Sequence, residues 1–290
     1  MVRIGWIDTE DWPYPLQASD GVERIGTVNS TDTKPGDNNS LGAWLKDAMG
    51  GPEELPCVLF ITAGVDAPEV DLVRAVAVSG HAHRLGWLVL GIAFVDRDVS
   101  DDSDEASPEQ ALLGAWRSET DGLLTISRAS LIQASEDEYA WSRDPAAAVD
   151  REMQDMARDF IAGVQQLLSP GSLPACDLED LRQVVGTRGG SELRVARAFS
   201  FAPGGTDASV VIRQALGRAS LTSGEVTVPD GVIVIVMSSH RSGRFGELKE
   251  LIAGVHEQLP HKPHLVAAMC PSYPNGEWLL VTVVACWHRT

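Results

Sequence analysis

The chain has 290 residues, 44% hydrophobic and 22% charged, enough apolar material for one large core or two moderate ones and too much for disorder. Its net charge of −18 argues against a general nucleic-acid binder, which needs a basic face to displace counterions, and against an anionic membrane surface. No apolar run reaches the roughly 20 residues of a membrane span and no basic-then-apolar leader opens the chain, so the sequence reads as a cytoplasmic protein without direct membrane insertion.

In chain order, Val2-Arg3-Ile4-Gly5-Trp6-Ile7 predicts a first strand and Asp8-Thr9-Glu10-Asp11-Trp12-Pro13 a turn. A nucleotide-binding α/β fold places glycines at such a turn so that backbone N–H groups can approach phosphate; here three carboxylates and two bulky rings stand instead. Residues 21–29 predict a second strand, 30–40 a polar loop, and 41–49 a short amphipathic helix stopped by Gly50-Gly51. The unbroken apolar run 58–64 predicts a buried central strand, 70–85 the helix after it, and 87–95 the next buried strand, which together make a right-handed βαβ unit. The stretch 96–105 carries six acids, yet it lacks the glycine and glutamate of a calcium loop and reads as solvated. A helix over 108–119 and a strand over 122–127 complete a doubly wound, Rossmann-like N-terminal domain.

A long helix follows. Asp144 is a capping residue, Pro145 suits the first turn, and apolar residues from Val149 to Leu168 recur at spacings of three and four. The helix over 145–168 would span roughly 36 Å, and Ser169-Pro170-Gly171 ends it. It reads as a spine, with a first domain over 1–171 and a smaller α+β domain over 172–290. The second domain is predicted to hold helices over 178–185, 208–219 and 245–258 and strands over 194–202, 231–237, 264–270 and 277–287. Pro274-Asn275-Gly276 predicts a hairpin between the last two strands, and the sheet is read with two helices laid on it.

Few residues suggest chemistry by pattern alone. Cys57, Cys176, Cys270 and Cys286 stand singly without a CxxC pair and read as free, buried thiols. No metal site is predicted: His81-x-His83 lies in a helix, where residues two apart diverge, and His261 and His264 have no cysteine or carboxylate placed beside them. The run 238–244 has two arginines before a helix, and Gly204-Gly205 precedes another, but both read better as loops than as anion sites. Trp6, Trp12 and Trp44 could fill the volume that a nucleotide would occupy in such a fold.

A doubly wound domain, a long central helix, an acidic loop and a small α+β domain resemble the tubulin and FtsZ superfamily. Residues 163–184 are similar to the end of the FtsZ central helix and its synergy loop, usually Asn-x-Asp-x-x-Asp and here Ala175-x-Asp177-x-x-Asp180. Residues 231–237 and 278–286 resemble two core strands of the FtsZ C-terminal domain, the latter with Val281-Thr282-Val283-Val284-Ala285; 22–32 and 121–131 resemble segments of its first half. The resemblance implies GTP as cofactor, held by a glycine-rich first loop and a GGGTGTG signature. This chain departs from both. Its second position reads Ala63-Gly64-Val65-Asp66-Ala67-Pro68-Glu69, with acids that repel phosphate and a proline that has no N–H to donate.

The degenerate phosphate loop is thus Ala63, Gly64, Asp66 and Pro68, with no bound cofactor expected. In the resembled family the synergy-loop acids reach across a filament interface and polarise water at the GTP of the next subunit. Asp177 and Asp180 persist, and two readings stay open: a helix cap with a solvated first-turn acid, or a surface that docks on an FtsZ-like partner. The functional expectation is a non-catalytic, cytoskeletal or cell-division protein that works by contact, with itself or with a bacterial FtsZ-like filament protein. The alternative is a GTPase that polymerises through an altered pocket.

Overall fold

The computed structural model describes residues 3–8, 23–27, 57–64, 69–96, 108–134, 144–169, 172, 174–186, 190–201, 208–218, 228–238, 245–259, 261–271 and 278–288. Two compact units emerge: Met1–Arg158 with Gly186–Glu192 and Arg289–Thr290, and Asp159–Val185 with Leu193–His288. The predicted helix over 41–49, the loops at 30–40 and 239–244, and Gly204-Gly205 lie outside the described residues, as do Trp12 and Trp44.

In the first unit the strands are β1 (Arg3–Asp8), β2 (Glu23–Thr27), β3 (Cys57–Gly64), β4 (Leu88–Val95) and β5 (Gly122–Ser127), in the order β2-β1-β3-β4-β5. Neighbours pair in parallel throughout this run. Every residue of β3 and β4 is buried, as uncharged strands covered on both faces must be. The covering helices include α1 (Glu69–Arg84) and α2 (Pro108–Ser118). Helix α1 sends Leu72, Ala75, Val78 and Ala82 into a core with Leu59, Ile61, Val89 and Ala93 of the sheet. Trp116 of α2 is fully buried there, and its indole N–H donates to Ser79 Oγ at 2.9 Å, so the ring's one polar atom is satisfied. A short helix that the sequence reading did not predict, α3 (Arg128–Ala134), follows β5 directly.

The long helix is α4 (Pro145–Leu167). Asp144 caps it: Oδ1 accepts the Ala147 N–H at 3.1 Å, and the Asp144 carbonyl accepts the Ala148 N–H at 3.1 Å. The predicted stripe is buried at Val149, Met153, Ala157, Phe160, Ile161, Val164 and Leu167. Residues 145–158 belong to the first unit and 159–167 to the second.

The second unit holds β6 (Ser191–Phe201) from Leu193 onward, β7 (Gly231–Ser238), β8 (His264–Pro271) and β9 (Trp278–Trp287), with neighbours in the order β6-β9-β7-β8. Its helices are α5 (Leu178–Val185), α6 (Ala208–Arg218) and α7 (Phe245–Gln258). Val232, Val234 and Val236 of β7 face one core with α6 and α7. The opposite face is covered too: α5 packs on β7, β8 and β9, and α4 approaches β7 at Gly163. A Cβ at Gly163 would lie 2.5 Å from Ile235 Cδ1, so a larger residue there would have to displace the end of the Ile235 side chain. The predicted picture of two helices on a sheet therefore describes one face of it.

The predicted hairpin is also corrected. β8 and β9 are not neighbours, because β7 lies between them. β7 pairs in parallel with β8 along its whole length and antiparallel with β9, from Gly231↔Cys286 to Ser238↔Leu279. The crossover through α7 delivers β8 to one edge of β7, and the returning β9 fills the other edge. A Pro-Asn-Gly turn signal marks a change of direction but does not select the neighbour; residues 272–277 themselves lie outside the described residues.

Candidate functional site

Two places deserve a chemical reading, one in each unit. In the first, the chain runs from β1 to β2 on one side and to β3 on the other, so the strand order reverses between β1 and β3. Open α/β sheets bind ligands outside the carboxyl ends of their strands at such a reversal. Those ends are Asp8 and Gly64. Ala63 and Gly64 are the last two residues of β3 and are buried. Thr62, one position earlier, donates its hydroxyl to the Ile7 carbonyl at 3.5 Å and fastens β3 to β1. Asp66 and Pro68 lie outside the described residues; the next helix, α1, starts at Glu69.

Farther along the same carboxyl end, Arg128 opens α3. Its guanidinium pairs with Asp150 of α4 and stands 3.6 Å from Asp96, which follows β4. The Ala129 N–H also donates to the Asp96 carbonyl at 3.1 Å, and the Ser130 N–H to Ser127 Oγ at 3.2 Å. This arginine is therefore committed to two carboxylates of its own chain. The sequence reading missed the triad, since nothing local brings residue 150 to residue 128.

The second place is the start of α5, where the sequence put Asp177 and Asp180. The two form a reciprocal capping box. Asp177 Oδ1 accepts the Asp180 N–H at 2.9 Å, and Asp180 Oδ2 accepts the Asp177 N–H at 2.9 Å. The Asp177 carbonyl accepts the Leu181 N–H at 3.3 Å. Asp180 is thus more than a solvated first-turn acid, because it holds the loop that Asp177 caps. Leu178, Leu181, Val184 and Val185 bury the other side of the helix, while Pro174, Ala175, Asp177 and Glu179 are exposed.

Cys176 sits half-buried beside the box. Burial first, then the carboxylates of Asp180 and Asp177, push its thiol up to about 11. Cys57 and Cys286 are buried thiols in no disulfide, and burial with the nearby Asp230 raises the Cys286 thiol as well. At the other end of α5 the Val184 carbonyl accepts a hydrogen bond from His288 Nε2 at 2.8 Å, a contact between residues 104 apart that the sequence did not suggest.

The remaining histidines are placed apart. His81 Nδ1 lies 3.4 Å from Arg84 Nη2, and His83 Nδ1 lies 3.7 Å from the buried Asp121 carboxylate, so the His-x-His pair engages different partners. His261, Lys262 and His264 are exposed at the turn into β8. Among the described residues no group of three His, Cys, Asp or Glu is set to hold a metal ion, and no helix is long and apolar enough to cross a membrane.

No protein-family model matches the chain, and no curated protein matches it. Among solved structures it is similar to a point mutant of FtsZ from M. jannaschii, with a TM-score of 0.66 and 16% identity, over 86% of this chain and 68% of that one. The chain has the FtsZ fold. The expected α/β architecture of FtsZ type is therefore present. At this identity the FtsZ likeness carries the fold alone, and the function has to be argued from this chain's own residues.

Proposed function

We propose that this FtsZ-fold chain works by protein–protein contact and does not bind GTP in the manner of the family it resembles. The observation that carries this reading is the start of α1. A phosphate at the β1–β3 reversal would need free N–H donors in the turn after β3 and a helix start clear of negative charge. The chain leaves β3 at Gly64, passes Asp66 and Pro68, and begins α1 on Glu69-Val70-Asp71. Proline removes one donor, and the three acids set like charge against a triphosphate. Arg128, at the same end of the strands, is already paired with Asp96 and Asp150. These residues do not fit a nucleotide phosphate.

The contact surface in this reading is the exposed tip that leads into α5, with Pro174, Ala175, Asp177 and Glu179. Its partner is a second copy or an FtsZ-like filament protein. Charge favours the latter: a second copy would set Asp66, Glu69 and Asp71 against Asp177, Glu179 and Asp180 if it docked as FtsZ-type subunits do. The test is a titration of the purified chain with GTP and GDP in magnesium, followed by tryptophan fluorescence and thermal shift, since a ligand that binds the native state raises its stability by mass action. No response at millimolar nucleotide is expected. A saturable shift would overturn the reading in favour of a GTPase with a rebuilt pocket.

A further inference from the structure

Helix α5 is held by side chains at both ends, and the hold on its last turn comes from far along the chain. The final carbonyls of a helix have no partner within it. Val184 is 1% exposed, so its carbonyl is shut off from water and depends on the His288 Nε2–H, 2.8 Å away. The His288 backbone N–H donates in turn to Asp230 Oδ2 at 2.8 Å. Asp230 also donates its own N–H to the Cys286 carbonyl at 2.9 Å and accepts the His264 N–H on its carbonyl at 2.8 Å. One aspartate thereby joins the start of β7, the start of β8 and the end of β9, and His288 extends this knot to α5. Gly231, next in the chain, lies against the same Val184 carbonyl, where a Cβ would come within 2.4 Å.

An isolated helix of two turns falls well below the roughly 12–15 residues that water tolerates. Helix α5 therefore owes its existence to its apolar seat and its end contacts. Fraying that starts at Val184 has little helix to cross before it reaches the capping box. We infer that His288 is a positioning residue for the 177–180 loop. By fixing the last turn of α5 it sets the carboxylates of Asp177 and Asp180 before any partner arrives, which lowers the ordering cost of association. The consequence for binding rests on the contact reading above; the mechanical role of His288 does not.

Amide hydrogen exchange on the chain alone tests the role. His288→Ala should speed exchange at the Asp180 and Leu181 amides about tenfold, the scale of one lost buried hydrogen bond, while Val234 and Ile235 in β7 stay protected. His288→Gln, whose side-chain N–H can reach the same carbonyl, should restore the slower exchange. Unchanged exchange at Asp180 in His288→Ala would overturn the inference, because α5 would then be held without the imidazole. A rise shared equally with β7 would also overturn it, since His288 would then serve the whole unit. Should His288→Ala fail to fold, Asp230→Ala frees the His288 backbone while keeping the imidazole, and the same comparison of amides decides. If exchange responds as stated but Asp177→Asn and Asp180→Asn leave association unchanged, the contact reading fails and the role of His288 stands.

Discussion

The starts of α1 and α5 are both acidic, with Glu69 and Asp71 in one and Asp177, Glu179 and Asp180 in the other. At α5 two of the carboxylates turn inward on the backbone and satisfy N–H groups that a helix start leaves open. Helix α1 follows β3, one of the two strands between which the strand order reverses, and an open α/β sheet ordinarily meets its ligand at such a reversal. The comparison teaches that a helix start is an anion site only when its residues leave the N–H groups free. Acids in the first turn make a finished cap at α5, and in the contact reading proposed above they disfavour a phosphate at α1.

The nucleotide titration addresses the α1 side of that contrast. On the α5 side the largest effect is expected from Gly231→Ala, whose new Cβ would press within 2.4 Å of the Val184 carbonyl. Overpacking against backbone should cost about 1–3 kcal/mol in urea denaturation. No loss would mean that the seat of α5 yields freely, and the comparison would lose its rigid half.

A smaller effect separates cap from charge. Asp177→Ala should cost about 1 kcal/mol of stability, whereas Asp177→Asn keeps an acceptor for the Asp180 N–H and should stay close to wild type. The asparagine variant then tests association without disturbing the fold. If it is as unstable as the alanine variant, the negative charge at the helix start matters more than the hydrogen bond.

The smallest effect lies in the thiol. Cys176 is raised from 9.0 to about 11 by burial and then by Asp180 and Asp177. The folded state holds this proton more tightly than the unfolded state does. The stabilising contribution is therefore complete below pH 9.0 and is lost as pH rises toward about 11. A denaturation series on wild type and Cys176→Ser should diverge only in that window. Asp180→Asn removes one of the causes and should speed alkylation of Cys176 at mildly alkaline pH, read on its own peptide by mass spectrometry; an unchanged rate would mean that burial alone protects the thiol.

Much of the fold was legible in particular stretches. The uncharged run that became β3 could only be a buried strand, and Asp144-Pro145 announced α4 with its cap in place. The spans of α5 and α7 agree with the periodicity of their apolar residues. The capping role of Asp177 was one of two readings the spacing allowed, because a residue three positions into a helix lies within reach of the cap. Helix α3 escaped notice because it is short and follows β5 without a break.

Local order along the chain thus determined which segments are strands and helices, where α4 begins, and which residues stand at each helix start. It did so because dihedral preference, capping and apolar period act between residues close in sequence. Only the tertiary structure decided that β9 pairs with β7 and not with β8, that Arg128 is shared by Asp96 and Asp150, and that His288 closes α5. Those choices depend on which strand edge is still open and which buried carbonyl or charge still lacks a partner once the elements have packed. A buried polar group takes whatever partner the fold brings near it, however distant in the chain.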